Sequence, residues 1–233
     1  EQDILKRQLT QNIAHELKTP VASIQGYLET ILENPNINDT MRQQFLERSY
    51  AQSQRLTSLL QDISTLNRMD DAPEITTQEH VDIANMVANI QKETALQLQE
   101  KHMTFVNRLP ADLVICGNGS LVYSIFRNLT DNAIAYAGIG TTITLTAQLV
   151  QTNIEDNGKW HFSFSDNGVG VAPEHLQRLF ERFYRVDKGR SRKMGGTGLG
   201  LAIVKNAVIL HGGTISVHNN DGGGLCFEFT LRA

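Results

Sequence analysis

An imidazole becomes a nucleophile when a neighbouring carboxylate takes the proton from one ring nitrogen and leaves the lone pair of the other free, and His15 is followed at once by Glu16. Ile13 and Leu17 lie two positions to either side, about 200° around a helix from the histidine, so His15 faces away from the apolar stripe. Thr19 stands one turn on, on the histidine's face. Pro20 removes a backbone donor inside the helical pattern and is expected to bend the helix just past His15. Zinc binding, the rival chemistry of His-Glu on a helix, requires a second histidine where this chain has Thr19.

Three further groups carry chemistry of a different kind. Asn128 and Asn132 are one helical turn apart, so their amide oxygens share a face and could divide the coordination of a hard Mg²⁺ that keeps several waters, although such a pair also serves as solvated or capping residues. Asp166-Asn167-Gly168-Val169-Gly170 ends an alternating strand. It reads either as a hairpin turn or as a strand-end carboxylate backed by glycines, suited to the close approach of a flat ligand, and the helix start at Pro173 that follows favours the second. Gly195-Gly196-Thr197-Gly198-Leu199-Gly200 opens a helix, where backbone N–H groups and the positive end of the dipole meet phosphate. It is neither the dinucleotide fingerprint, since no strand precedes it, nor a P-loop, and no H-R-D or D-F-G occurs.

Two periodicities supply the elements that must position these groups. From Ile4 to Leu32 apolar residues recur at helical spacing, with Leu17, Val21, Ile24, Leu28 and Ile31 stepping by four and three. Turn residues at 34–39 interrupt this, and the pattern resumes from Thr40 to Leu66 with Leu56, Leu59, Ile63 and Leu66. The result is an αα-hairpin whose stripe is too narrow to enclose a core. It is expected to meet a second copy in a four-helix bundle, the alternative being burial against the chain's own downstream domain. Beyond Pro73, strands alternate at 143–149, 160–164 and 225–231, with helical patterns at 83–101, 119–136, 173–180 and 199–211 between and around them. That is an α/β sandwich with helices on one face of a mixed sheet.

Composition removes other classes. Forty per cent hydrophobic and 20% charged residues over 233 positions exclude global disorder, and a formal charge of -4 gives no general field for nucleic acid. Cys116 and Cys226 form no C-x-x-C, which fits a reducing compartment, and no apolar run is long enough for a membrane span.

At Ala14 to Pro20, A-H-E-L-K-T-P, the chain resembles the phosphoacceptor box of bacterial sensor histidine kinases, and residues 1–69 resemble their dimerisation and phosphotransfer hairpin. After a linker at 70–77, residues 78–233 resemble their Bergerat-type ATP-binding domain. Asn128 to Tyr136 looks like the N box, with Ala135 where the family has lysine; Asp166 to Gly170 looks like the G1 box; Phe180 to Arg185 looks like the F box; and Gly195 to Gly200 looks like the G2 box. The resemblance implies that His15 is phosphorylated, with Glu16 as base or orienter and Glu16 with Thr19 as the E-x-x-T of phosphatase activity. It implies ATP held by Asn128, Asn132, Tyr136, Asp166, Gly168, Gly170, Phe183, Arg185, Gly196, Thr197, Gly198, Leu199 and Gly200, with Mg²⁺ on Asn128 and Asn132 and a mobile lid at 187–194. It further implies a homodimer, a response regulator as partner, and a membrane-anchored parent of which this is a cytoplasmic portion. Phosphatase-biased action and a nucleotide-gated scaffold are the rival readings.

Overall fold

The computed structural model describes residues 2–71, 78–150, 158–187 and 196–233. Helix α1 (Gln2–Glu33) and α2 (Asp39–Asp71) form the antiparallel hairpin. Asn38 starts the second helix by accepting from the Met41 N–H at 2.8 Å, and Tyr27 stacks on Phe45 across the two helices at 5.7 Å. α1 runs unbroken through Pro20, which is buried. Around it the Thr19 and Ser23 hydroxyls donate one turn back, to the carbonyls of His15 and Thr19. The linker expected at 70–77 lies outside the described residues apart from Asp70 and Asp71, which still belong to α2.

The second unit begins with β1 (Glu79–Asp82), which pairs antiparallel with β3 (Val114–Gly117) as a small separate ribbon. α3 (Ile83–Glu93) is capped by Asp82, whose carboxylate accepts from the Asn85 N–H. The single helix expected over 83–101 is in fact two, because Thr94 leaves the helical conformation and a new helix, α4 (Ala95–Glu100), starts after it. Thr94 is fully buried and its hydroxyl donates to the Ile90 carbonyl at 2.8 Å, sharing that acceptor with its own N–H at 3.0 Å, a back-bond that bends a helix at a hydroxyl residue. β2 (Thr104–Arg108) then joins a five-stranded sheet in the order β2-β4-β5-β7-β6.

In that sheet β4 (Thr142–Val150), β5 (Lys159–Asp166), β6 (Ile215–Asn219) and β7 (Leu225–Arg232) pair antiparallel, and only β2 with β4 is parallel. Phe162 and Phe164 on β5 and Phe227, Phe229 and Leu231 on β7 point to one face and are buried. Against them lies α5 (Gly119–Tyr136), which buries Val122, Ile125, Phe126, Leu129, Ala133 and Ile134 at three- and four-residue spacing. Phe126 meets Phe162 and Phe229 edge-on, at 5.5 and 5.8 Å, while the latter two stack at 5.0 Å. The helix expected over 173–180 is one turn, α6 (Pro173–Leu176), followed by tight turns. α7 (Gly200–Leu210) packs beside α5, and its end at His211 is followed by Gly212 at φ +67°.

Candidate functional site

Three pieces of chain converge on α5. At its middle, Asn128 donates to the Ser124 carbonyl at 2.8 Å and turns its Oδ1 toward the start of α7, so closely that a Cβ on Gly200 would lie 2.6 Å from it. One turn on, Asn132 is half-buried on the same face, and Tyr136 closes the helix. At the C-terminal end the Ala137 backbone abuts Gly168, where an added Cβ would stand 2.6 Å from the Ala137 Cα and closer still to its carbonyl oxygen. Only glycine permits that approach of the loop after β5 to the helix.

Asp166, the last residue of β5, is buried, and its Oδ1 accepts from the Gly168 N–H at 2.8 Å. Burial pushes its carboxyl above the usual carboxylate range, and the backbone N–H groups of Gly168 and Leu225 oppose the shift. Asn219 clamps the same loop: its Oδ1 accepts from the Val171 N–H at 3.1 Å and its Nδ2 donates to the Val171 carbonyl at 2.8 Å. A Cβ on Gly170, at φ +64°, would meet that Oδ1 at 2.6 Å. Asn220 donates to the Asp166 carbonyl at 3.0 Å.

The N-terminus of α7 has Leu199 at its cap position, which supplies no side-chain cap, so among the described residues its first backbone N–H groups remain available to an anion. A buried carboxylate walled by glycines at the C-terminal end of α5, and a helix start beside Asn128 at its middle, offer an acceptor and backbone donors of the kind an adenine nucleotide uses. Asn128 and Asn132 suit a magnesium ion that takes most of its remaining ligands from phosphate and water. The expected lid lies outside the described residues except Asp187, as does Gly195.

The F-box residues Phe183 and Arg185 lie between the turn before α7 and the hairpin. Phe183 adopts φ +64°, a left-handed conformation that a bulky side chain holds only when its surroundings compel it, and its N–H donates to the Gly198 carbonyl at 2.8 Å. With Leu199 it lines a crevice completed by Leu9, Ile13, Ile63 and Leu66 of the hairpin. The upper part of the hairpin stripe, expected in a bundle with a second copy, is therefore covered here by the chain's own second domain. Leu59 and Leu66 are buried within the single chain, while Val21, Leu28, Leu32 and Tyr50 lower down remain exposed.

His15 is exposed on α1, and the Thr19 hydroxyl donates to its carbonyl at 3.2 Å. Glu16 is turned toward the second domain. Its Oε2 accepts from Arg185 Nη2 at 3.0 Å and lies 3.7 Å from Arg55 Nη2 on α2. Arg185 is 5% exposed and Glu16 13%, so this ion pair is largely desolvated. The same Nη2 donates to the Gly196 carbonyl at 2.8 Å, and Arg185 Nε is buried without a partner among the described residues. Thr197 donates to Asp62 on α2 at 2.7 Å, and Arg182 holds Asp70 with contacts of 2.7 and 2.9 Å. Burial pushes the Asp62 carboxyl up, the Thr197 hydroxyl opposes this, and Asp131 of α5 adds to the rise.

Sequence reasoning missed Arg55, Asp62, Asp70, Arg182 and Asn219. A signal for two of them was present: Asp62, Leu66 and Asp70 recur every four residues, so two acids share a face with an apolar seam residue. Fold and site together define a helical hairpin with an exposed histidine, joined to an α/β nucleotide-binding domain that docks beside it.

Comparison with known proteins gives that class its family. Residues 5–72 match the His Kinase A (phospho-acceptor) domain, and residues 117–233 match the histidine kinase-, DNA gyrase B-, and HSP90-like ATPase family. The chain belongs to the histidine kinases. It is 33% identical to the sensor-like histidine kinase SenX3 of Mycolicibacterium smegmatis over 226 residues, which are 97% of this chain and 57% of that protein. The chain thus spans little more than half the length of SenX3 and 36% of the sensor histidine kinase WalK of Bacillus subtilis, to which it is 32% identical over 97% of its own length. Among solved structures, the histidine kinase AdeS of Acinetobacter baumannii shares the fold at TM-score 0.73 and 23% identity, covering 94% of this chain and 97% of that one. Full-length ShkA, solved in complex with AMPPNP, matches at TM-score 0.67 and 26% identity over 97% of this chain and 45% of its own.

Proposed function

We propose that the chain is the kinase core of a homodimeric sensor histidine kinase, which transfers the γ-phosphoryl group of ATP to His15 and passes it to an aspartate of a response regulator. The observation that carries this is the meeting of the two domains at the phosphoacceptor, where Arg185 of the nucleotide-binding domain reaches the residue next to His15. Asp166 would accept from the adenine amino group, the α7 N-terminus and Thr197 would hold phosphate, and Asn128 and Asn132 would hold Mg²⁺, whose chemistry is to draw charge off the phosphate oxygens.

One ring nitrogen of His15 forms the N–P bond as the bond to the leaving ADP oxygen breaks, and the other ring nitrogen gives its proton to Glu16. Exposure lets the acceptor meet both the nucleotide and a regulator. In this reading the separation of roles between Glu16, for the imidazole, and Thr19, for a water attacking a regulator's phospho-aspartate, follows from their positions on α1. Exposed Leu28, Leu32 and Tyr50 support a second copy lower on the hairpin. The same reading makes the chain the cytoplasmic portion of a longer, membrane-anchored sensor.

The test is incubation with γ-labelled ATP and Mg²⁺. Label that is lost in acid and stable in base marks a phosphoramidate, as expected, whereas acid-stable label marks a hydroxyl ester and contradicts the proposal.

A further inference from the structure

Two residues expected to hold the nucleotide are engaged by the hairpin. Thr197, in the glycine-rich turn before α7, donates its hydroxyl to Asp62 Oδ2 at 2.7 Å. Arg185 gives Nη2 to Glu16 Oε2 at 3.0 Å while holding the Gly196 carbonyl of the same turn. Each takes a carboxylate oxygen from the hairpin, and a carboxylate offers a guanidinium or hydroxyl the same kind of acceptor as a phosphate.

Arg185 is also under-satisfied in this arrangement. Its Nε is buried without a partner among the described residues, although its side chain is only 5% exposed. A buried guanidinium with an unused donor is a costly resting place. Phosphate, with more acceptor oxygens than one Glu16 oxygen supplies, would use it. Among the described residues the base-binding end of the site has no such competitor: Asp166, Gly168, Gly170 and Asn219 touch each other and Ala137, and none is bonded to the hairpin.

Resting on the nucleotide-binding reading above, we propose that Asp62 and Glu16 are internal anionic competitors for the phosphate groups of the nucleotide. With the domains docked, Thr197 and Arg185 answer to hairpin carboxylates, and a triphosphate engages them only when those contacts break. The apparent affinity for a triphosphate is then reduced by the fraction of molecules in which the turn is released, while ligands that use only the base end are unaffected. The hairpin thereby reports its own state to the nucleotide site.

The experiment is calorimetric titration of the whole chain with AMP-PNP and with AMP, both with Mg²⁺. Asp62→Ala is expected to tighten AMP-PNP about three- to tenfold, as removal of a competing state does, and to leave AMP within about twofold. Asp70→Ala loosens the same docking through Arg182 without touching Thr197 or Arg185, and should move AMP-PNP in the same direction. Unchanged AMP-PNP affinity in both variants, or equal changes for AMP and AMP-PNP, overturns the competition. Failure of the wild type to bind AMP-PNP at all overturns the nucleotide reading, and this inference with it.

Discussion

Gly168→Ala asks whether the loop after β5 is a nucleotide wall built to atomic tolerance. The added Cβ would lie 2.6 Å from Ala137 Cα and 2.7 Å from its carbonyl carbon, against a floor of 3.0 Å for real contacts. Both obstacles are backbone at the C-terminus of α5, so no rotamer change relieves them, and the loop must retreat. Overpacking of this kind costs about 1–3 kcal/mol. The retreat also stretches the 2.8 Å bond from the Gly168 N–H to Asp166, which is buried, and a weakened donor to a buried carboxylate adds about 1–3 kcal/mol. A loss near the low end of these ranges, about 2 kcal/mol, lowers Tm by roughly 4–8 °C in a chain of this size. Since Asp166 is the proposed base-reading residue, affinity for AMP should fall at least about tenfold, the equivalent of 1.4 kcal/mol. Differential scanning calorimetry and titration with AMP read the two effects. Gly222→Ala, with nothing within 4 Å of the new methyl, is the silent control. Gly168→Ala behaving like that control would refute the reasoning.

Three other outcomes follow from particular contacts. His211 is buried, donates from Nδ1 to the Ala207 carbonyl and accepts at Nε2 from the Asn118 N–H, and burial holds it below the usual histidine range. The unfolded chain takes up a proton near pH 6.5 that the native site refuses, so stability should fall as pH drops below about 6.5 and level off once native His211 is also charged. Melting curves of His211→Gln should lack that part of the slope, whereas an identical pH dependence would contradict the assignment. Asn132→Ala should weaken AMP-PNP more with Mg²⁺ than without, and equal losses by calorimetry would make the residue structural. Charge placed on the exposed hairpin face by Leu28→Asp with Leu32→Asp should shift sedimentation toward monomer; an unmoved dimer would place the partner contact elsewhere.

The local conformations around the candidate nucleotide site were legible because they are set within a few residues. Glycines beside a strand-end aspartate, two asparagines a turn apart, and alternating Phe162, Phe164, Phe227 and Phe229 each state a conformation within a few residues. The break at Thr94 was not, since a hydroxyl bonding back to Ile90 looks like one more residue in a helical run. Nor was the docking of the domains. Glu16 and Arg185 are 169 positions apart, and Asp62 and Thr197 are 135 apart, separations at which no periodicity carries information. The hairpin stripe predicted correctly that Leu59 and Leu66 are buried, but periodicity names the buried face and not what covers it. Ile63 and Leu66 meet Phe183 and Leu199 across the crevice.

The central claim is that His15 is the acceptor and that the nucleotide site lies in a different domain. Wild type and His15→Gln, incubated with γ-labelled ATP and Mg²⁺ and titrated in parallel with AMP-PNP, test both halves at once. Complete loss of label on His15→Gln with AMP-PNP affinity within about twofold of wild type is the result expected, twofold being roughly 0.4 kcal/mol. Label persisting on His15→Gln would contradict it.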